Sequence, residues 1–349
     1  QQQTNMDLNN NLLNNIISSR NAVNNSSADN ADWSVDYKKG FAKDKQELEI
    51  LLASSYDKNI SDYAQTQVYQ RQTTPFSAST SHNPGTEKET NISIDYSHPV
   101  NENFLLETGL KYIVQDIYSS AGIQTLKANT NQYYNDTTQS YQLNYNRKVY
   151  AGYVSAEFAV SHFLHVKTGL RFEYTDTKID FPNTTIPAYN SWVPSVMLLH
   201  ELPNKQSIKL AYTHRIERPD YREVNPFKNL SDPYNISTGN PALQPELGNN
   251  FELGYNKSFY KGGSFYIGAV TRINSQDIKP YTDFYTTYQI GDSLYHNVSV
   301  STRKNIGLEV RSGITFSLSL PIADRWNIRW NGFLSNRHIV NDLSNGKVC

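Results

Sequence analysis

The sequence predicts an all-β fold, an antiparallel up-and-down wall of transmembrane strands, and two observations carry the prediction. The first is a rhythm of connection lengths. Runs of period-2 alternation form hairpins closed by tight turns at 44–45, 98–103, 161–164, 202–206, 260–263 and 319–325, while polar stretches at 57–88, 119–141, 216–247 and 276–300 separate the hairpins. Short turns on one rim and long loops on the other characterise outer-membrane barrels, whose periplasmic turns are tight and whose extracellular loops are extended. A soluble sandwich has no physical reason to sort its loops by length.

The second observation is the parity of the charges. From Phe104 onward Phe104, Leu106, Leu110, Tyr112 and Val114 alternate with Glu107, Gly109, Lys111 and Gln115. Val166, Leu170, Phe172 and Tyr174 alternate with Lys167, Arg171 and Glu173, and Ile306, Leu308, Val310, Ile314, Phe316 and Leu318 alternate with Gly307, Glu309, Arg311 and Thr315. Successive strand side chains point to opposite faces, so all these charges fall opposite the apolar face. An Arg or Lys on the lipid side at mid-membrane costs about 2–4 kcal/mol, and in a wet lumen little.

Twelve strands follow in order. The segments 34–43 and 46–56 flank the turn at Asp44 and Lys45, and 90–98 and 103–115 form the next hairpin. Then come 145–160 with 164–176, 191–201 with 206–215, 247–259 with 263–275, and 302–318 with 325–339. Most lengths lie near the roughly 9–11 residues that cross a bilayer at a tilt. The organisation expected is a polar loop or partly disordered segment at 1–30, followed by one barrel domain at 31–349 that is incomplete at both ends. The opening tract lacks a signal peptide, and 344–349 reads as the next long loop, so the chain is expected to be part of a larger barrel.

Composition alone points elsewhere. A mean hydropathy of -0.63, with 38% hydrophobic and 19% charged residues, resembles that of a soluble protein, and no run of about 18 apolar residues suggests a membrane helix. In a barrel only alternate strand residues face lipid, so the mean stays polar while aromatics rise to form interfacial girdles. The 25 Tyr, 14 Phe and 4 Trp supply them, with Tyr37, Phe41, Tyr96, Phe104, Phe163, Trp192, Phe259, Phe265 and Trp326 as candidates near strand ends. A net charge of -1 gives no basic footprint for nucleic acid. The single cysteine, Cys349, excludes an internal disulfide framework.

No catalytic constellation emerges, and the protein is expected not to be an enzyme. The eight histidines are scattered, and the close pair His162 and His165 lies in a tight turn without a third ligand, so no metal is expected. There is no phosphate-cradling Gly loop and no nucleophile elbow, and no cofactor is implied. The inward charges Glu107, Lys111, Glu157, Arg171, Glu173, Arg272, Glu309 and Arg311 are read as pairing across the wall.

One stretch carries a more specific pattern. The run from Arg215 through Glu217, Arg218, Pro219, Asn225, Pro226 and Phe227 is followed by Gly239-Asn240-Pro241-Ala242-Leu243-Gln244-Pro245-Glu246 and then Phe251-Glu252-Leu253-Gly254-Tyr255. In order and spacing this resembles the TonB-dependent receptor barrels common in Bacteroidetes, and 150–158 and 168–174 resemble the strands that precede the motif there. The resemblance covers most of 31–339. It implies a cell outer membrane location in a Gram-negative bacterium, with the lipid as a partner. It also implies a barrel of about 22 strands plugged by an amino-terminal domain, absent here, through which TonB drives import of a scarce ligand such as a siderophore, cobalamin, glycan or peptide. Alternatives are a plugless channel or scaffold barrel, and a soluble β-rich glycan-binding module.

Read from its residues, the motif shapes a loop. Pro219, Pro226, Pro233, Pro241 and Pro245 interrupt ladder pairing, Gly239-Asn240 is a turn dipeptide, and Glu246 opens a strand. Arg218, Pro219, Asn225, Pro226, Gly239, Asn240, Pro241, Pro245 and Glu246 are therefore expected to be structural. If the loop binds ligand, Tyr221, Arg222, Tyr234 and Asn235 are the candidates, because they stack and hydrogen-bond.

Overall fold

A computed structural model describes residues 2–6, 12–70, 73–127, 130, 132–230, 234–259, 262–290, 293–323, 326–343 and 346–348. In chain order the strands are β1 Gln2–Met6, β2 Leu12–Gly40, β3 Glu47–Tyr69, β4 Ser77–Asn101, β5 Phe104–Leu126, β6 Tyr133–Asn135, β7 Tyr141–Ser161, β8 Leu164–Ile179, β9 Tyr189–Leu202 and β10 Gln206–Glu217. After a one-turn helix, α1 Tyr221–Val224, come β11 Asn235–Ser237, β12 Glu246–Ser258, β13 Ser264–Ile290, β14 Ser293–Ala323, β15 Trp326–Leu343 and β16 Gly346–Val348.

The strands form an antiparallel meander in the order β1-β2-β3-β4-β5-β7-β8-β9-β10-β12-β13-β14-β15-β16. Two short strands lie off this path: β6 pairs with β5, and β11 runs parallel to β14, Ile236 opposite Val300. Among the described residues no ladder joins β1 to β16. Because the path alternates direction, the tight connections after β2, β4, β7, β9, β12 and β14 share one rim, as their lengths predict. Lys45, Asn204, Lys205 and Gly262 take positive φ there, at 61°, 61°, 57° and 83°. Residues 260, 261, 324 and 325 of two expected turns lie outside the described residues, as does Pro233; the flanking pairs Ser258 with Ser264 and Ala323 with Trp326 put both connections on the short-turn rim.

The opposite rim departs from expectation. Much of 57–88 and 276–300 is not loop but paired ladder, since β3 and β4 stay in register to Gln67 and Ser77 and β13 and β14 to Ile290 and Ser293. Residues 18–30, placed within a polar loop segment by sequence, continue β2 against β3. Backbone pairing needs no apolar face, and above the membrane both sides of a strand meet water, so the alternation that reveals a strand disappears while the ladder continues. The meander therefore holds two more short strands than the twelve expected, β1 and β16.

The faces follow the predicted parity. Glu173, Thr175, Thr177 and Ile179 of β8 are buried while Tyr174 and Lys178 between them are exposed. On the other face of the wall Leu110, Leu253 and Leu334 are 66%, 53% and 76% exposed. A soluble module would bury such side chains in a core; here they form a continuous surface, for instance Leu198, Leu210 and Leu253 on adjacent strands. Aromatic pairs bound that surface at two levels. Near the short-turn rim Phe41 lies 6.2 Å from Tyr96, Phe104 6.3 Å from Phe158, and Phe163 5.3 Å from His200. Higher up Tyr112 lies 5.0 Å from Tyr150, Phe172 4.9 Å from Trp192, and Tyr212 5.1 Å from Phe251. Eight residues separate Phe104 from Tyr112, which is about 27 Å along a strand and about 20 Å of height at a tilt of 35–45°, close to the height of a barrel's apolar band.

Charges on the inner face pair across strands. Lys167 lies 2.7 Å from Glu107 and 3.6 Å from Glu157, Lys209 2.9 Å from Glu252, Arg337 2.5 Å from Glu309, and the Tyr153 hydroxyl donates to Asp95 at 2.8 Å.

Candidate functional site

The connection between β10 and β12 folds back onto the inner face. It starts with a capping box: Asp220 accepts from Arg222 N at 2.9 Å, and Glu223 Oε2 accepts from Asp220 N at 3.0 Å. These bonds satisfy the first amides of α1 and turn Val224 inward. Val224, 3% exposed, and Leu243, 4%, then join a cluster with Ile117, Leu143, Tyr145, Ile179, Ile186 and Ile278 contributed by the wall and its connections.

The two halves of the connection are tied where glycine is required. Gly239 N donates to Asn225 O at 2.9 Å and Asn240 N to Glu223 O at 2.6 Å. A Cβ on Gly239 would lie 2.5 Å from Asn225 O and 2.6 Å from Glu223 O, so no other residue permits this approach. Further bonds reach the wall: Asn240 Nδ2 donates to Arg303 O at 2.9 Å, and Asn305 Nδ2 donates to Gln244 O and Gln276 O, both at 2.8 Å. Arg218 pairs with Glu173, both mostly buried, and its Nε donates to Thr175 Oγ1 at 3.1 Å. Arg303 lies 3.4 Å from Glu223.

The far end of the connection holds a titratable cluster. Glu246, five residues above the aromatic Phe251, accepts from Ile278 N at 2.9 Å. Burial pushes its carboxyl up to about 7, the bond from Ile278 opposes that rise, and nearby Asp277 and Glu217 add to it. Asp277 is held by Lys279 at 2.6 Å.

The four ligand candidates do not converge. Tyr221 and Arg222 line a cavity of about 690 Å³ together with Arg218, Glu223 and Arg303. Arg222 is exposed and lies 5.4 Å from the Tyr221 ring centre, and Tyr221 packs 6.4 Å from Tyr145. Tyr234 and Asn235 instead stand at the start of β11, where Tyr234 O accepts from Ser299 N at 2.9 Å, and they do not line that cavity. Sequence reasoning missed Glu173, Thr175, Arg303 and Asn305 as anchors of the loop. The inward parity of Glu173 was a signal for one of them; nothing local marked the others. His165 lies 3.9 Å from Glu201 at the short-turn rim, far along the chain from the motif.

A transmembrane antiparallel wall, apolar outside, charged inside and covered within by a folded connection, defines an outer-membrane β-barrel protein. A family model described as the outer membrane protein beta-barrel family matches residues 39–348. The chain belongs to that family and resides in the outer membrane of a Gram-negative bacterium. Among curated proteins none matches it. Solved structures share the fold: the RagAB peptide transporter (TM-score 0.58, 13% identity, 92% of this chain and 37% of that one) and the copper transporter OprC (0.54, 12%, 89% and 53%). BauA, the ferric preacinetobactin receptor from Acinetobacter baumannii, does so as well (0.53, 10%, 91% and 46%). The chain thus spans about half or less of the length of each.

Proposed function

We propose that the chain is the barrel portion of a TonB-dependent receptor that imports a scarce ligand, in the class of siderophore, cobalamin, glycan or peptide, across the outer membrane. The observation that carries this reading is the connection 218–245, folded onto the inner face with Tyr221 and Arg222 on a cavity of about 690 Å³. A channel that only leaks solute has no use for a polar cavity built within its wall by a capped turn, a required glycine and two loop-to-wall ion pairs. The motif residues Arg218, Pro219, Asn225, Pro226, Gly239, Asn240, Pro241, Pro245 and Glu246 hold this connection in place and Tyr221 and Arg222 face the ligand, while Tyr234 and Asn235, at β11 and off that cavity, meet ligand only outside it. Coupling to TonB requires a plug domain. The membrane partner is lipid.

The test is uptake in the native bacterium. Radiolabelled siderophore, cobalamin, oligosaccharide and peptide are offered to wild-type cells, to a strain lacking this gene and to a strain lacking TonB. Uptake of one class lost equally in both mutants supports the reading. Steady ion conductance by the purified protein in a planar bilayer, with uptake indifferent to TonB, would establish a passive channel instead.

A further inference from the structure

The inner face changes character with height. At membrane level it carries Glu107, Lys111, Glu157 and Lys167. Moving up two residues at a time keeps the same face of a strand, and on β3, β4 and β5 the inward charges end at Asp57, Glu87 and Lys111. Asp57 and Glu87 lie opposite one another. Above them the inward residues are amides, hydroxyls and uncharged groups in register: Asn59 is opposite Gly85, Ser61 opposite Asn83, and Gly85 opposite Ser119.

This uncharged stretch and the inner connection bound a trough of about 500 Å³, lined among others by Asn59, Ser61, Asn83, Ser119, Tyr141 and Tyr221. Tyr141, Tyr221 and Arg222 also line the cavity of about 690 Å³, so the two adjoin. Among the described residues that line the trough only Glu87 and Arg222 are charged, one of each sign. Glu87 accepts from Gln115 Nε2 at 2.5 Å, and Arg222 lies 3.8 Å from Asp220. Gly85 is buried in the trough, and the Asn59 amide oxygen takes the space that a Cβ on it would need. Tyr141 is fixed by two contacts, its hydroxyl 3.1 Å from Ser119 Oγ and its ring centre 4.4 Å from that of Phe227.

This lining selects by chemistry. An ion taken out of water requires an open counter-charge, and the charges at hand are balanced or already bonded. A peptide brings two terminal charges and a ferric catecholate chelate a net negative charge, so neither is matched. A peptide cannot add as a further strand either, because β3, β4 and β5 each have a neighbour on both sides. A sugar suits what remains. Its hydroxyls donate and accept, as Asn amides and Ser hydroxyls do, and its C–H faces pack against phenol rings, which offer an apolar body and a polar tip. The volume lies within the range of about 300–1,000 Å³ common for small-molecule sites.

We infer that this trough binds an uncharged oligosaccharide, with Tyr141 and Tyr221 covering its ring faces and Asn59, Ser61, Asn83 and Ser119 bonding its hydroxyls. The inference rests on the import reading, because the trough adjoins the cavity at Tyr221, and it narrows the ligand to a neutral glycan.

The experiment uses the full-length protein purified from outer membranes in detergent and isothermal titration calorimetry. The probes are oligosaccharides released from starch, xylan, mannan, laminarin and dextran, with polygalacturonate fragments, a mixed peptide digest, cyanocobalamin and ferric enterobactin as charged or non-sugar counterparts. At least one uncharged oligosaccharide is expected to bind, and the N59A/N83A variant to bind it at least tenfold more weakly. Tyr141→Phe should show a smaller loss, and Gln142→Ala, at an exposed position on the opposite face of the same strand, none. Heat-shifted gel migration verifies that each variant is folded. Absence of binding by every uncharged oligosaccharide, equal binding by the N59A/N83A variant, or equal binding of the polygalacturonate fragments would overturn the assignment. If a peptide, cobalamin or the ferric chelate binds instead, the sugar assignment fails and the import reading stands. Oligosaccharide binding that depends on Asn59 and Asn83, with uptake indifferent to TonB, supports the trough and refutes the import reading.

Discussion

Replacing Gly239 by Ala should release the inner connection while leaving the wall intact. The new methyl carbon would sit 2.5 Å from Asn225 O, 2.6 Å from Glu223 O and 2.8 Å from Asn225 N. All three are backbone atoms, so relief requires the two chain segments to separate. Separation breaks the bonds from Gly239 N to Asn225 O and from Asn240 N to Glu223 O. Two such bonds contribute about 1 kcal/mol each, and overpacking of this kind costs about 1–3 kcal/mol. A net loss of about 3 kcal/mol follows, which at about 1.4 kcal/mol per tenfold raises the open population of the connection by about 100-fold. Amide hydrogen exchange measures this locally. Peptides covering 218–245 should exchange about 100-fold faster in the variant, and peptides covering 164–176 at the wild-type rate. Unchanged exchange in 218–245 would show that the close approach at Gly239 does not hold the connection. Equal loss of protection in the wall would show that connection and wall unfold as one unit.

Glu246 makes the same anchoring pH-dependent. Its folded-state value, raised from 4.5 to about 7, means that the protonated form favours the folded cluster, so stability is full below about pH 4.5 and falls as pH rises through about 7. Exchange of 240–246 should quicken between pH 5 and pH 8 after correction for intrinsic rates, and Glu246→Gln should flatten that dependence; an equally steep response in the variant assigns it to another group. On the lipid face, Leu170→Arg should lower folding stability in vesicles by about 2–4 kcal/mol. Lys167→Gln removes pairs with Glu107 and Glu157 that are about a third exposed or more on the lysine side, and should cost less than about 1 kcal/mol. Equal denaturant midpoints for the two variants would contradict the assignment of faces.

The legible parts of this fold were those where lipid imposes a pattern. Lys167, Arg171 and Glu173 fall on one parity because hydrocarbon excludes charge from the other, and the tight turn at Asn204 announces itself through a residue that tolerates positive φ. Above the membrane that constraint ends. Residues 57–69 and 277–290 pair along their ladders without an apolar stripe, and so read as loop. The motif's prolines and Gly239 predicted a shaped connection, whereas the one-turn helix α1, begun by the capping box of Asp220 with Glu223, was not expected. What covers that connection was hidden, because Ile117, Leu143 and Ile179 are distant in sequence and acquire a shared face only through the register of β5, β7 and β8.

The central claim, that the even-numbered residues from 166 to 174 of β8 face hydrocarbon, is tested most directly by spin-label accessibility. Single cysteines are placed at each position from 166 to 174 in protein whose Cys349 has been replaced, reconstituted into lipid vesicles, and their collisions with oxygen and with a water-soluble nickel chelate are measured. The account predicts a two-residue period, with oxygen favoured at 166, 168, 170, 172 and 174 and disfavoured at the residues between. A profile without that period, or with oxygen favoured at 167, 169, 171 and 173, would contradict it.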